Sequence, residues 1–188
     1  MPGAVFLIGF MGAGKTSVGQ ALARRLNWLF EDLDQRIERN QGRSVAEIFQ
    51  ELGESEFRAA EHSALKQLLE EISGKPGKIV ALGGGAFAQR KNAALLEWHG
   101  AHVVLLDAPI EVLWQRCCKQ ASEDGSSRPL LRDLDQFREL YQARRRSYGK
   151  ARLTVRTESR KVDDIAAKIT RLLNLKKTNA RTGKGNVQ

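Results

Sequence analysis

The stretch GFMGAGKT, Gly9 to Thr16, follows the apolar run AVFLI at 4–8 and opens a segment of helical periodicity from Lys15 to Asn27. It fits the pattern G-x-x-x-x-G-K-[ST] in full. Phosphate chemistry accounts for each part. Glycines let the backbone wrap around phosphate oxygens with its N–H groups pointing inward. The helix that starts here adds the positive end of its dipole. Lys15 can reach the β- and γ-phosphates, and Thr16 offers a hydroxyl to Mg²⁺. A glycine-rich turn with a chance lysine explains neither the strand before nor the helix after. The stretch predicts a nucleoside-triphosphate site at a strand–turn–helix junction, but a P-loop serves kinases, GTPases and motors alike. The chain has no N-K-x-D sequence, which disfavours a guanine nucleotide, and 188 residues is short for a motor domain.

Outward from this motif, short apolar or β-branched runs alternate with longer helical segments. WLFED (28–32), KIVAL (78–82), HVVLL (102–106) and LTV (153–155) read as further strands. Helical patterns cover about 33–40, 44–51, 54–73, 90–98, 109–120, 133–147 and 161–174, with a Ser-, Gly-, Asp- and Glu-rich loop at 121–128. This alternation predicts an α/β fold, a parallel sheet with helices on both faces. The stretch 33–73 holds helices but no strand, the pattern of an inserted helical subdomain for a second substrate. There is no internal repeat and no interdomain linker, so 1–175 is expected to be one domain.

Composition fits this picture, with 41% hydrophobic and 28% charged residues. No apolar run is long enough to cross a bilayer, and the N-terminal stretch lacks the parts of a signal peptide. Cys117 and Cys118 are adjacent, without metal-ligand spacing, and read as reduced thiols of a cytoplasmic protein. The net charge of +9 raises nucleic acid as a partner, but four of the basic residues lie in the tail KKTNARTGKGNVQ at 176–188. Without it the charge is +5, and the tail reads as a solvated, disordered end. No aromatic interleaving or recognition motif accompanies the basic residues, so no specific nucleic-acid partner is expected.

Other segments carry candidate chemistry. Asp32 and Asp34 end the second strand, where an open parallel sheet presents its ligand crevice. Two apart in extended chain, they would share a face, one serving Mg²⁺ and the other a substrate hydroxyl; helix N-capping is the competing role for Asp34. Glu31 is expected to face away. Arg58, in the inserted segment, has Glu61 three residues on and can clamp a carboxylate, although an i,i+3 surface pair would look the same. Gly83, Gly84 and Gly85 allow close backbone approach to a ligand and offer N–H donors. Arg128, before Pro129, suits a lid that closes over the nucleotide. Arg144 shares a helix face with Tyr148 and can supply a second carboxylate-binding cation, with Arg145 and Arg146 as alternatives. Asp107, ending the fourth strand, rivals Asp32 as the metal carboxylate.

In this order, GFMGAGKT, DLD, EFR with its following Glu, LGGG, RPLL and R-x-x-x-Y, the chain over about 4–174 resembles the shikimate kinase family. The resemblance implies a three-layer αβα fold with a five-stranded parallel sheet in the order 2-3-1-4-5, a substrate-binding insertion at about 33–61 and a lid at about 119–133. It implies that ATP is held by Gly12, Ala13, Gly14, Lys15, Thr16, Ser17 and Arg128, and Mg²⁺ by Thr16 and Asp32. By the same resemblance Asp34, Phe57, Arg58, Gly83, Gly84, Gly85 and Arg144 bind shikimate, with Lys15, Asp34 and Arg128 catalytic. The expected reaction is ATP plus shikimate giving ADP plus shikimate 3-phosphate, on the route to chorismate and the aromatic amino acids, by a monomer. A gluconate kinase on the same fold and a non-catalytic nucleotide-binding module are the alternatives.

Overall fold

The computed structural model describes residues 3–72, 77–124 and 133–178. Strand β1 (Ala4–Ile8) is buried at every residue, as a central strand covered on both faces must be. Strands β2 (Leu29–Asp32), β3 (Lys78–Ala81), β4 (His102–Asp107) and β5 (Leu153–Arg156) complete a five-stranded sheet in the order β2-β3-β1-β4-β5. All of its pairings are parallel. The chain order reverses at β1, so β1 and its neighbours open the crevice at their carboxyl ends.

Helix α1 (Lys15–Leu26) follows β1 and packs against α8 (Val162–Leu172). The insertion between β2 and β3 consists of α2 (Leu33–Gln41), α3 (Val45–Glu51) and α4 (Gly53–Ile72). Ser44 and Glu47 form a capping box that starts α3, while Leu65, Leu68 and Leu69 anchor α4 in the core. A short 3₁₀ turn (Ala86–Ala88) precedes α5 (Arg90–Trp98); α6 (Ile110–Asp124) follows β4, and α7 (Leu134–Tyr148) precedes β5. The apolar core is continuous across the sheet and includes Phe57 and Ile48 of the insertion.

Three expectations change. Asp34 is not in extended chain, because α2 begins at Leu33 and Asp32 is its N-cap, accepting from the Asp34 backbone N–H at 3.0 Å. Capping therefore falls to Asp32 rather than Asp34. The loop expected from 121 is helical as far as Asp124: Ser122 Oγ donates back to the Lys119 carbonyl at 2.7 Å, so its polar group is satisfied within the helix. The tail is tethered at its start, with Thr178 N donating to the Leu26 carbonyl at 2.9 Å and Asn27 Nδ2 donating to the Thr178 carbonyl at 3.1 Å. Arg128 and the rest of the predicted lid up to 132 lie outside the described residues, as does the tail beyond Thr178. No helix among the described residues is long and apolar enough to cross a membrane.

Candidate active site

The P-loop takes its shape from glycine. Gly9, Gly12 and Gly14 have φ of 147°, 77° and 89°, a region that side chains rarely adopt. At Gly12 space excludes a side chain as well, since a Cβ there would lie 2.6 Å from the Leu113 carbonyl oxygen and 2.9 Å from Cys117 Sγ. Gly14 caps α1 with no side-chain acceptor, which leaves the first N–H groups of the helix available for an anion. Lys15 Nζ donates to the Gly9 and Phe10 carbonyls at 2.9 and 3.2 Å. Burial pushes the Lys15 pKa down, and the nearby Asp34 and Asp32 oppose the shift. Beside Lys15, Thr16 Oγ1 donates to Asp32 Oδ2 at 3.3 Å.

One cavity of about 560 Å³ runs from Gly12, Lys15 and Thr16 past Asp32 and Asp34 to Gly84 and Arg144. At its far end the three consecutive glycines have a specific use. A Cβ on Gly83 would lie 2.6 Å from Asp34 Oδ1, one on Gly84 2.9 Å from Arg144 Nη1, and one on Gly85 2.8 Å from Arg58 Nη2. Each glycine thus makes room for one charged side chain, and together they form a floor on which a carboxylate and two guanidinium groups converge. The glycines were expected to leave room for a ligand; the space a Cβ would take is filled instead by the Asp34, Arg144 and Arg58 side chains.

The two guanidinium groups are held from behind. Arg58 donates to Glu54 Oε1 from Nε and Nη2 at 3.2 and 3.0 Å, and to both Glu61 oxygens from Nη1 at 3.1 and 3.2 Å. Its guanidinium also lies 5.1 Å from the centre of the Phe57 ring and 5.9 Å from that of Phe49, within cation–π range. Arg144 lies 5.6 Å from the Phe10 ring centre. Four residues on, the Tyr148 hydroxyl donates to the Gly84 carbonyl. Burial raises the Tyr148 pKa to about 12, so the phenol stays protonated as a donor. Asp34 differs from these: its Oδ1 is buried with no hydrogen-bond partner. Burial, then repulsion from Asp32, raises its pKa to about 6 against the pull of Lys15. An orphaned acceptor next to two cations is suited to receive a hydroxyl from an anionic polyol.

The structure gathers Gly12, Gly14, Lys15, Thr16, Ser17, Asp32, Asp34, Gly83, Gly84 and Arg144 around one cavity. Ala13 is buried within the loop, Arg58 adjoins the glycine floor at Gly85, and the buried Phe57 ring packs against the Arg58 guanidinium. Arg144 reaches the cavity, whereas Arg145 lies over Tyr141. Asp107 does not line the cavity; its backbone carbonyl accepts from Thr157 N at 2.8 Å. Glu31 faces away, as expected, into an ion pair with Arg36 and Lys78. Sequence reasoning missed Arg116, whose guanidinium bonds the Gly12 carbonyl at 3.3 Å and the Thr157 carbonyl at 2.8 Å. It also missed Glu54 and the buried Asn92. A polar residue in an otherwise apolar helix stripe was the available signal for Asn92.

The donor set fits Mg²⁺. Thr16 and Asp32 place a hydroxyl and a carboxylate side by side at the phosphate end, and Mg²⁺ is commonly bound by one or two such groups together with water and phosphate oxygens. Among the described residues no cluster of three His, Cys, Asp or Glu could cage a metal, and such a site requires none.

Comparison with known proteins agrees with this geometry. The family profile described as shikimate kinase matches residues 11–174. The shikimate kinase of Persephonella marina is 35% identical over 166 residues, covering 88% of this chain and 95% of its own. That of Aquifex aeolicus is 37% identical over 155 residues, covering 82% and 86%. The solved structure of shikimate kinase from Acinetobacter baumannii in complex with shikimate superposes with a TM-score of 0.80 at 34% identity, covering 93% of this chain and 94% of that one. A profile match through the P-loop, the insertion and the Arg144–Tyr148 helix, with relatives matched along nearly their whole length, places this chain in the shikimate kinase family.

Proposed function

We propose that this protein transfers the γ-phosphoryl group of ATP to the 3-hydroxyl of shikimate, giving ADP and shikimate 3-phosphate. The observation that carries this reading is the glycine floor, where Asp34, Arg144 and Arg58 converge on consecutive residues. A small anionic triol needs cations for its carboxylate and an acceptor for its hydroxyls, and the floor provides both. Arg58 and Arg144 hold the carboxylate. Asp34 accepts the hydrogen of the attacking hydroxyl through the otherwise unpartnered Oδ1, so the oxygen attacks phosphorus as its proton leaves.

At the other end, the N–H groups of the Gly12–Ser17 turn and helix start bind the phosphates. Lys15 gives up the Gly9 and Phe10 carbonyls to meet them. Thr16 and Asp32 would hold Mg²⁺, which when bound neutralises phosphate charge. Arg128 is the lid cation in this reading. The chemistry depends on positioning and charge neutralisation more than on covalent catalysis.

The test is ADP release from MgATP with shikimate, gluconate, nucleoside monophosphates or no acceptor. Turnover restricted to shikimate is the expected result. Turnover with another acceptor would retain the nucleotide site and overturn the acceptor-site assignments.

A further inference from the structure

Asn92 sits in α5 beside Ala93 and Leu96, facing the core, and is only 1% exposed. A buried amide is costly unless its groups are paired, and the partners here lie on two other elements, α4 and the short turn after the glycine floor. Nδ2 donates to the Ala86 carbonyl at 3.1 Å, directly after the glycine floor, and to Glu61 Oε2 of α4 at 3.4 Å. Oδ1 lies 2.8 Å from His62 Nδ1. With both acceptors on the Nδ2 side, the amide orientation is settled by its partners, and His62 Nδ1 is the donor to Oδ1.

Glu61 is fully buried, and burial raises its pKa against the pull of Arg58. Its Oε2 is shared between Arg58 Nη1 at 3.2 Å and Asn92 Nδ2 at 3.4 Å. Asn92 therefore fixes the rotation of the Glu61 carboxylate from behind, and that carboxylate sets the plane of the Arg58 guanidinium. The second N–H of the same amide ties the chain leaving Gly85, against which Arg58 packs. One side chain thus keeps the cation and the floor beneath it in register.

We infer that Asn92 is a positioning residue for the substrate carboxylate, acting through Glu61 on Arg58; this rests on the acceptor-site reading above. The test compares wild type, Asn92→Leu and Asn92→Asp in steady-state turnover, using shikimate and its analogue with a hydroxymethyl group in place of the carboxylate. Asn92→Leu should raise the shikimate KM about ten-fold and leave the MgATP KM within about two-fold. It should reduce the preference for the carboxylate over the hydroxymethyl analogue by about five-fold or more. In a Glu61→Gln background the same substitution should add less than about two-fold, since the route through Glu61 is already broken. Asn92→Asp keeps the shape and the contact to His62 but turns oxygen toward Glu61, and should raise the KM at least as much, which preserves the test should the leucine variant not fold. An unchanged shikimate KM, equal losses on acid and alcohol, or full additivity with Glu61→Gln would each overturn the inference. Failure of wild type to use shikimate would instead overturn the acceptor-site reading.

Discussion

The two glycine clusters at the ends of the cavity do opposite things. In the P-loop, Gly9, Gly12 and Gly14 are there for backbone conformation, each with a positive φ in a turn whose own N–H groups form the site. In the floor, Gly83, Gly84 and Gly85 are absent from the positive-φ set and serve by lacking side chains, so that Asp34, Arg144 and Arg58 can lie against them. In the proposed reading one cluster offers its backbone to the ligand, while the other lets distant side chains converge. Substitutions in the first should therefore damage the nucleotide site as a whole, and substitutions in the second should displace one side chain at a time.

Gly12→Ala tests the first half and should have the largest effect. The new methyl requires a strained backbone at φ 77° and meets a main-chain oxygen at 2.6 Å, so the loop itself must shift. Turnover should fall by about 10³-fold or more, with loss of ATP binding in calorimetry. A variant that still bound ATP normally would show that the loop tolerates movement, and the contrast between the clusters would fail.

Asp34→Asn lies where the two halves meet. It should lower kcat by about 10²–10³-fold while ATP still binds. In wild type, kcat/KM should fall as pH drops through about 6, where Asp34 takes up its proton. Stability should move the other way. The folded protein holds this proton more tightly than the unfolded chain, since the pKa rises from 3.8 to about 6. The ionised carboxylate therefore costs stability, by ~3 kcal/mol at most above that range and by nothing below about 3.8. Asn removes the cost, so the variant should melt higher than wild type at pH 8, with the difference shrinking toward pH 4. A lower melting temperature at pH 8 would mean that Asp34 is better satisfied than its unpartnered Oδ1 implies.

Gly84→Ala tests the second half with a smaller effect. Its methyl would lie 2.9 Å from Arg144 Nη1 and 3.8 Å from the Tyr148 hydroxyl, and the nearer atom ends a flexible side chain. The backbone can stay while Arg144 gives way. The shikimate KM should rise about ten-fold, with ATP affinity and melting temperature nearly unchanged. Equal damage to both substrates would show that the floor behaves as the P-loop does.

The same contrast decides what was legible in the sequence. A site made from its own backbone is contiguous, so Gly9 to Thr16 could be read in full from spacing. The strands were legible because each is a short apolar run bounded by turns, and the inserted helices because of their periodicity. Asp32 and Asp34 do line the cavity, though not as two residues of extended chain: the chain turns helical at Leu33, and a cap and the first turn of a helix lie beside the strand end. The floor is assembled from four separate segments. Arg58 alone was indistinguishable from a surface ion pair, and Arg144 from its basic neighbours, until the fold set both over Gly84 and Gly85. Arg116 and Asn92 act across 104 and 31 residues of chain, to Gly12 and Glu61 respectively, and no local pattern carries such pairings.

The finest distinction lies within the Arg58 clamp and should give the smallest effect. Glu54 and Glu61 both bond its guanidinium at about the same distance, but their side chains are 67% and 1% exposed. An exposed pair in water contributes ~0–1 kcal/mol, because solvent screens it and both side chains lose rotamer freedom. Glu54→Gln should therefore change the shikimate KM by less than about three-fold and stability by less than ~1 kcal/mol. Glu61→Gln removes the charge that Arg58 faces in the interior and should raise the KM about ten-fold, because a guanidinium held from the solvent side alone can rotate off the floor. Kinetics of the two variants side by side, with shikimate varied at saturating MgATP, reads this directly. If Glu54→Gln were the more damaging, the clamp would be set from the solvent side, and Asn92 behind Glu61 would have nothing to position.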